Sequence, residues 1–178
     1  GLSVFKPIIV FIGRTKLEST NSTKTLEILE SLDRLKAEGV LAHYYSCDVT
    51  DVTRTKEVLD QIALDHGCVT GIIHGAGYLK DSFIKQMSEE DFKGVVDVKY
   101  TGALNLFRSV DSRKLKFFFS LSSAAAVQGN PGQVNYSSGN RMMSSLGEFL
   151  SQEHRSTKFK ALELPPVEGA GMAENEEI

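Results

Sequence analysis

A chain of 178 residues, 41% of them hydrophobic, can bury one sizeable core and gives no sign of two domains. Its formal net charge of −3 removes any electrostatic reason to expect nucleic acid or an anionic membrane as partner. Its two cysteines, Cys47 and Cys68, lack metal-ligand spacing; with no leader-like segment or long apolar run, they point to buried free thiols in a soluble, cytoplasmic domain.

Lys6 to Arg14, KPIIVFIGR, reads as a buried strand opened by Pro7 and stopped by Gly13. Ser22 to Glu38 sets Leu26, Leu29, Leu32 and Leu35 among charges, an amphipathic helix closed by Gly39. A strand over His43 to Val49 and a helix over Asp51 to His66 follow, the helix turning Val58, Leu59, Ile62 and Ala63 inward. Cys68 to His74 is the third strand, Ser88 to Val110 a long helix and Leu115 to Leu121 the fourth strand. After a turn at Gly129-Asn130-Pro131-Gly132, a helix runs from Tyr136 to His154 and a fifth strand from Phe159 to Leu164. Strand and helix alternate throughout, which predicts an α/β fold with a Rossmann-like, doubly wound parallel sheet.

Polar chemistry begins where the fourth strand ends, at Ser120 to Ser123, and ligands of open α/β sheets sit beyond the carboxyl ends of the strands. A serine there meets a tyrosine, Tyr136, on the next helix, with Asn140 one turn on. Together with Lys99 in DVKYTGALNL and the GNPGQ turn, these residues resemble the short-chain dehydrogenase/reductase superfamily, and within it the ketoreductase domains of polyketide and polyunsaturated fatty acid synthases. The usual short-chain reductase writes Tyr-x-x-x-Lys with asparagine on the preceding helix. Here Asn140 follows the tyrosine and Lys99 lies on the preceding helix, the arrangement of the synthase ketoreductases.

The resemblance implies an NADPH-dependent β-ketoacyl reductase, with Tyr136 as proton donor, Ser123 polarising the substrate carbonyl and Asn140 holding a water or the lysine in register. A phenol ionises near pH ~10 in isolation, and an ammonium such as that of Lys99 stabilises a neighbouring phenolate. For the cofactor, Arg14 is the candidate for the 2′-phosphate, since a guanidinium matches phosphate bidentately. Asp48 and Val49 match the adenine-binding positions, and Gly75, Ala76 and Gly77 let backbone approach the adenosine ribose. His74 is expected to pack against this loop. Pro165 and Pro166 fall where the family places Trp-Gly-Pro-Trp near nicotinamide, with both aromatics replaced, while Gly171, Met172 and Ala173 match the family's Gly-Met-Ala.

In Leu79-Lys80-Asp81 the resemblance sees the Leu-Asp-Asp motif of members making the D-hydroxy product, with Lys80 replacing the middle aspartate. Gln128 stands where members of opposite stereochemistry carry a tryptophan, a residue this chain lacks. The implied partners are an acyl carrier protein with a phosphopantetheine-bound β-ketoacyl chain and the other domains of a synthase. No metal is expected. Rival readings are a non-catalytic reductase-like scaffold of a megasynthase, a free-standing short-chain dehydrogenase, or another Rossmann-like binder.

The family's first strand and its Gly-x-Gly-x-x-Gly turn find no match. The strand at Pro7 to Gly13 corresponds to the family's second, and Leu2 to Phe5 to the tail of its first helix. In the 3-2-1-4-5-6 order the first strand lies centrally, so two strands should be separated from three. The expectation is therefore one ketoreductase domain over 1–178, truncated at both ends, whose central strand comes from residues before Gly1 or from a separate segment.

Overall fold

The computed structural model describes residues 7–17 and 22–165. Leu2 to Phe5, Pro166 and the Gly171-Met172-Ala173 stretch lie outside the described residues.

The first strand, β1, spans Ile8–Gly13 and pairs in parallel with β2, Leu41–Ser46, in the register Ile8↔Leu41 through Gly13↔Ser46. Helix α1, Thr23–Ala37, connects them. It ends where expected: Gly39 takes φ +74°, and the Val40 N–H closes back onto the Leu35 carbonyl at 2.9 Å. Its leucine stripe is a correction. Leu26 and Leu29 are exposed, while Thr25 is the fully buried residue. Only a two-stranded sheet offers that face cover, so part of it is left exposed.

Helix α2, Val52–His66, starts at Asp51, whose carboxylate accepts the Arg54 N–H at 2.9 Å. It buries Val58, Leu59 and Ile62, but Ala63 is exposed. Strand β3 is only Gly71–His74, because Gly67 turns the chain at φ +90° and the ladder with β4 begins at Gly71↔Phe117. Cys68 thus lies before the strand and is exposed, against expectation, whereas Cys47 is buried and free.

Helix α3, Glu89–Arg108, is capped by the Ser88 hydroxyl, which accepts the Asp91 N–H at 3.0 Å. Glu89, Glu90 and Asp91 in its first turn and Arg108 in its last complement the helix dipole. Strand β4, Phe117–Ser123, lies between β3 and β5, Lys158–Leu164. Between β4 and β5 come the short α4, Ala125–Gln128, and α5, Val134–Glu153, which begins two residues before Tyr136.

All described pairings are parallel, and they form two sheets, β1-β2 and β3-β4-β5. Two strands are thus separated from three, as expected from the unmatched first strand. β1 and β3 each pair on one side only, and their apolar Ile8, Phe11 and Ile73 are exposed. A common core still joins the blocks: Cys47, Val49, Val58, Leu59 and Ile62 pack with Ile72, Leu106, Phe107, Phe118 and Met143. Phe107 meets Phe118 and Phe159 edge-on at centroid distances of 6.4 and 5.7 Å. Such pairs contribute about 0.5–1.5 kcal/mol each beyond their buried area. Among the described residues no helix is long and apolar enough to cross a membrane.

Candidate active site

The carboxyl ends of β3 and β4, the middle of α3 and the first turns of α5 converge. What brings α3 and α5 close is Gly139: a Cβ there would lie 3.2 Å from Val96 Cα and 3.4 Å from Lys99 Cβ. With no side chain between them, the backbones approach and Lys99 is trapped at 2% exposure. Its Nζ donates to the Leu121 carbonyl of β4 at 3.0 Å and lies 6.0 Å from the centroid of the Tyr136 ring. Burial lowers the Lys99 pKa from its ordinary 10.5 to about 8, so the amine stays mostly charged at neutral pH.

Tyr136 is half-buried, and its position is fixed from the backbone: its N–H donates to Asn135 Oδ1 at 2.7 Å. Asn135, fully buried, in turn donates to the Lys80 carbonyl at 2.8 Å. Asn140 is also fully buried; its Nδ2 donates to the Tyr136 carbonyl at 2.9 Å, and Oδ1 has no partner among the described residues. Ser123 closes β4, and its Oγ accepts the Ala125 N–H at 3.2 Å. That bond leaves the hydroxyl proton free to donate outward. Ser120 and Ser122 point the other way, into the interior, where the Ser144 hydroxyl donates to Ser122 at 3.1 Å. Strand alternation thus singles out Ser123 among the serines.

His74 is a further correction. It is 2% exposed, and its Nε2 lies 3.1 Å from both the Val98 and Lys99 carbonyls, so it packs under the lysine-bearing turn of α3 rather than against its own loop. Both neighbours are acceptors, which assigns the proton to Nε2. Burial, and secondarily the Lys99 charge, lowers its pKa to about 4, so the imidazole is neutral.

The candidate cofactor residues gather at the ends of β1, β2 and β3. Arg14 is exposed, and its guanidinium lies over the Tyr78 ring at 5.6 Å. Asp48 Oδ1 accepts both the Thr50 N–H, at 3.0 Å, and its hydroxyl, at 2.8 Å, while Oδ2 has no partner among the described residues. Val49 is buried. Gly75, followed by Ala76 and Gly77, already sits where a Cβ would be 3.0 Å from Leu121 Cδ1. Pro165, just past the end of β5, is exposed.

Asp81 is not a free side chain: its Oδ2 accepts from Gln133 Nε2 at 2.6 Å, and Gln133 Oε1 accepts from Asn130 at 2.9 Å. Ser82 N–H to the Gly132 carbonyl, 2.8 Å, adds a backbone tie. The loop after β3 is therefore laced to the turn that leads into α5. Gln128 is exposed at the end of α4. Sequence reading missed Gln133, although its GNPGQ turn was visible; 52 residues separate it from Asp81. No cluster of three His, Cys, Asp or Glu able to hold a metal occurs among the described residues.

The model of the KR domain family matches residues 6–167. Polyketide synthase PksN of Bacillus subtilis (strain 168) is 27% identical over 97% of this chain, and a polyunsaturated fatty acid synthase of Thraustochytrium sp. is 35% identical over 74% of it. The chain spans 3% and 5% of those two synthases. A crystal structure of a ketoreductase domain from the bacillaene assembly line, 30% identical, superposes with a TM-score of 0.82 over 97% of this chain and 40% of its own. By its match across nearly the whole length and by its parallel sheets, the chain belongs to the KR, or ketoreductase, domain family, with the Rossmann-like fold of the short-chain dehydrogenases/reductases.

Proposed function

We propose that the chain is an NADPH-dependent reductase that converts a β-ketoacyl thioester, borne on the phosphopantetheine of a carrier protein, to the β-hydroxyacyl thioester. The observation that carries this reading is the buried Lys99 ammonium beside the Tyr136 ring at the carboxyl end of β4. A lysine is rarely buried to this degree without a task, and a cation held against a phenol is the arrangement that eases proton release from it.

The donor set fits a phosphorylated dinucleotide: an exposed guanidinium at Arg14, an open carboxylate oxygen on Asp48, and Gly75 and Gly77 at the end of β3. A reduced nicotinamide, when bound, supplies the hydride. Ser123 donates its free proton to the substrate carbonyl oxygen and stabilises charge growing there. Tyr136 hands its phenolic proton to that oxygen, and Lys99 stabilises the phenolate left behind. Asn140, tied to the Tyr136 carbonyl, keeps the first turns of α5 in register. Pro165, just past the end of β5, restricts the backbone beside the nicotinamide.

The unpaired edges of β1 and β3 support a further part of this reading, that a parallel strand bearing the Gly-rich turn pairs between them, supplied by polypeptide outside these 178 residues. The chain would then act as one ketoreductase unit of a larger cytoplasmic synthase, served by its carrier protein and neighbouring domains. The test is NADPH consumption by the full-length protein with a β-ketoacyl pantetheine thioester. No consumption, with the thioester recovered unchanged, sinks the reading.

Arg14→Ala is expected to weaken NADPH binding by about 1 to 3 kcal/mol while leaving NADH nearly unchanged, as fits a lost charge-assisted contact to phosphate. Titration with both cofactors decides it, since equal losses would assign Arg14 to the fold alone.

Asp81 bears on product configuration. Bonded to Gln133, it fixes the loop after β3 against the turn before Tyr136, and so shapes one wall of the groove an acyl thioester enters. Exposed Gln128 borders that turn without a bulky ring. The expected product is D-configured, and Asp81→Ala should erode stereocontrol more than rate. Chiral chromatography of the product thioester reads this; a mainly L product from the unaltered protein would refute it.

A further inference from the structure

Helix α3 does more than carry Lys99. Six residues beyond it, Asn105 is 5% exposed, and its Nδ2 donates to the Val49 carbonyl at 2.9 Å and to the Thr50 carbonyl at 3.1 Å. Both amide protons are thereby used on the loop that follows β2. Among the described residues these are the only hydrogen bonds joining the two-stranded block, 7–67, to the three-stranded block, 70–165. A second contact serves the same loop. A Cβ on Gly102 would lie 2.7 Å from Val49 Cγ2, so the helix presents bare backbone where the Val49 side chain rests.

The loop held in this way carries Asp48. Thr50, whose carbonyl Asn105 grips, donates its own N–H and hydroxyl to Asp48 Oδ1. A short chain of bonds thus runs from the interior of α3, through Thr50, to the carboxylate whose second oxygen is open.

We infer that Asn105 is a positioning residue for the adenine end of the cofactor: it sets the Asp48–Val49 loop at a fixed distance from the helix that bears Lys99. The inference rests on the proposed placement of adenine against Asp48 and Val49. Because Asn105 touches neither Lys99 Nζ nor Tyr136 in the hydrogen-bond network, its loss should act on nucleotide affinity and not on the proton-transfer step. A residue that merely stabilised the fold would depress binding and turnover together.

The test uses the full-length protein and adenosine 2′,5′-bisphosphate, which carries only the adenine half of the dinucleotide, with calorimetric titration as the readout. Asn105→Ala is expected to bind this probe about tenfold more weakly, and to raise the KM for NADPH about tenfold while kcat falls less than threefold. Gly102→Ala displaces the same loop from a different atom and should repeat the pattern, which keeps the inference testable if Asn105→Ala does not fold. Unchanged probe affinity in a folded Asn105→Ala protein, or equal losses in kcat and affinity in both variants, overturns it. Asp48→Ala is the control. If it binds the probe as the unaltered protein does, the adenine placement itself has failed and this inference with it. If Asp48→Ala loses affinity while Asn105→Ala and Gly102→Ala do not, only the positioning role is refuted.

Discussion

Tyr136→Phe is expected to lower the reduction rate by about 10²- to 10⁴-fold, the worth of a positioned proton donor, while NADPH affinity stays within a few fold. The substitution removes one oxygen and leaves the ring. The ring therefore still packs 6.0 Å from Lys99 Nζ, and the backbone tie to Asn135 is untouched. Fold and cofactor site should survive, which makes the rate loss readable as chemistry. Single-turnover measurements with a β-ketoacyl thioester separate the chemical step from product release. A Tyr136→Phe protein with near-normal turnover would remove Tyr136 from the mechanism.

Lys99→Met should cost on the order of a hundredfold in rate. The cation lies 6.0 Å from the centroid of the Tyr136 ring, and an interaction of roughly 3 kcal/mol at about that range in a partly screened site corresponds to such a loss. Stability follows a separate course. The Lys99 pKa is lowered on folding from 10.5 to about 8, so the folded state releases its proton first as pH rises. Below about pH 8 the amine is charged whether folded or not, and the penalty for burying that charge is fully present. Between about pH 8 and 10.5 the unfolded chain holds more protons, so stability rises with pH relative to a chain without the amine. In thermal melts, the unaltered protein should therefore gain on Lys99→Met across that window. Parallel curves for the two would show that Lys99 does not titrate low.

Much of the architecture is legible along the chain because its causes are local. Alternating apolar runs and amphipathic stretches determine strand and helix, Asp51 and Ser88 cap the helices they precede, and Gly39 ends α1 through its left-handed backbone. The parallel pairing and the split into two and three strands follow from the order of elements and the unmatched first strand. Lys99, Ser123, Tyr136 and Asn140 are recognisable as a set because their spacing matches that of the synthase ketoreductases.

Burial and long-range partners are another matter, since they depend on what lies opposite. Leu26 and Leu29 have the periodicity of a core face but are exposed, because the two-stranded sheet beneath α1 cannot cover them. Cys68 reads as part of a strand, yet β3 starts only where β4 offers a partner, at Gly71. His74 and Asn105 carry no local signal; their roles come from carbonyls 24, 25, 55 and 56 residues away. Asp81 is likewise tied to Gln133 by a contact that only folding creates. The sequence by itself determined which chemical groups are present and on which elements they lie, because propensity, capping and periodicity act within a few residues. Tertiary structure alone decided which groups meet, that a glycine at 139 lets α5 close on Lys99, and that the resulting desolvation brings the lysine down to about 8.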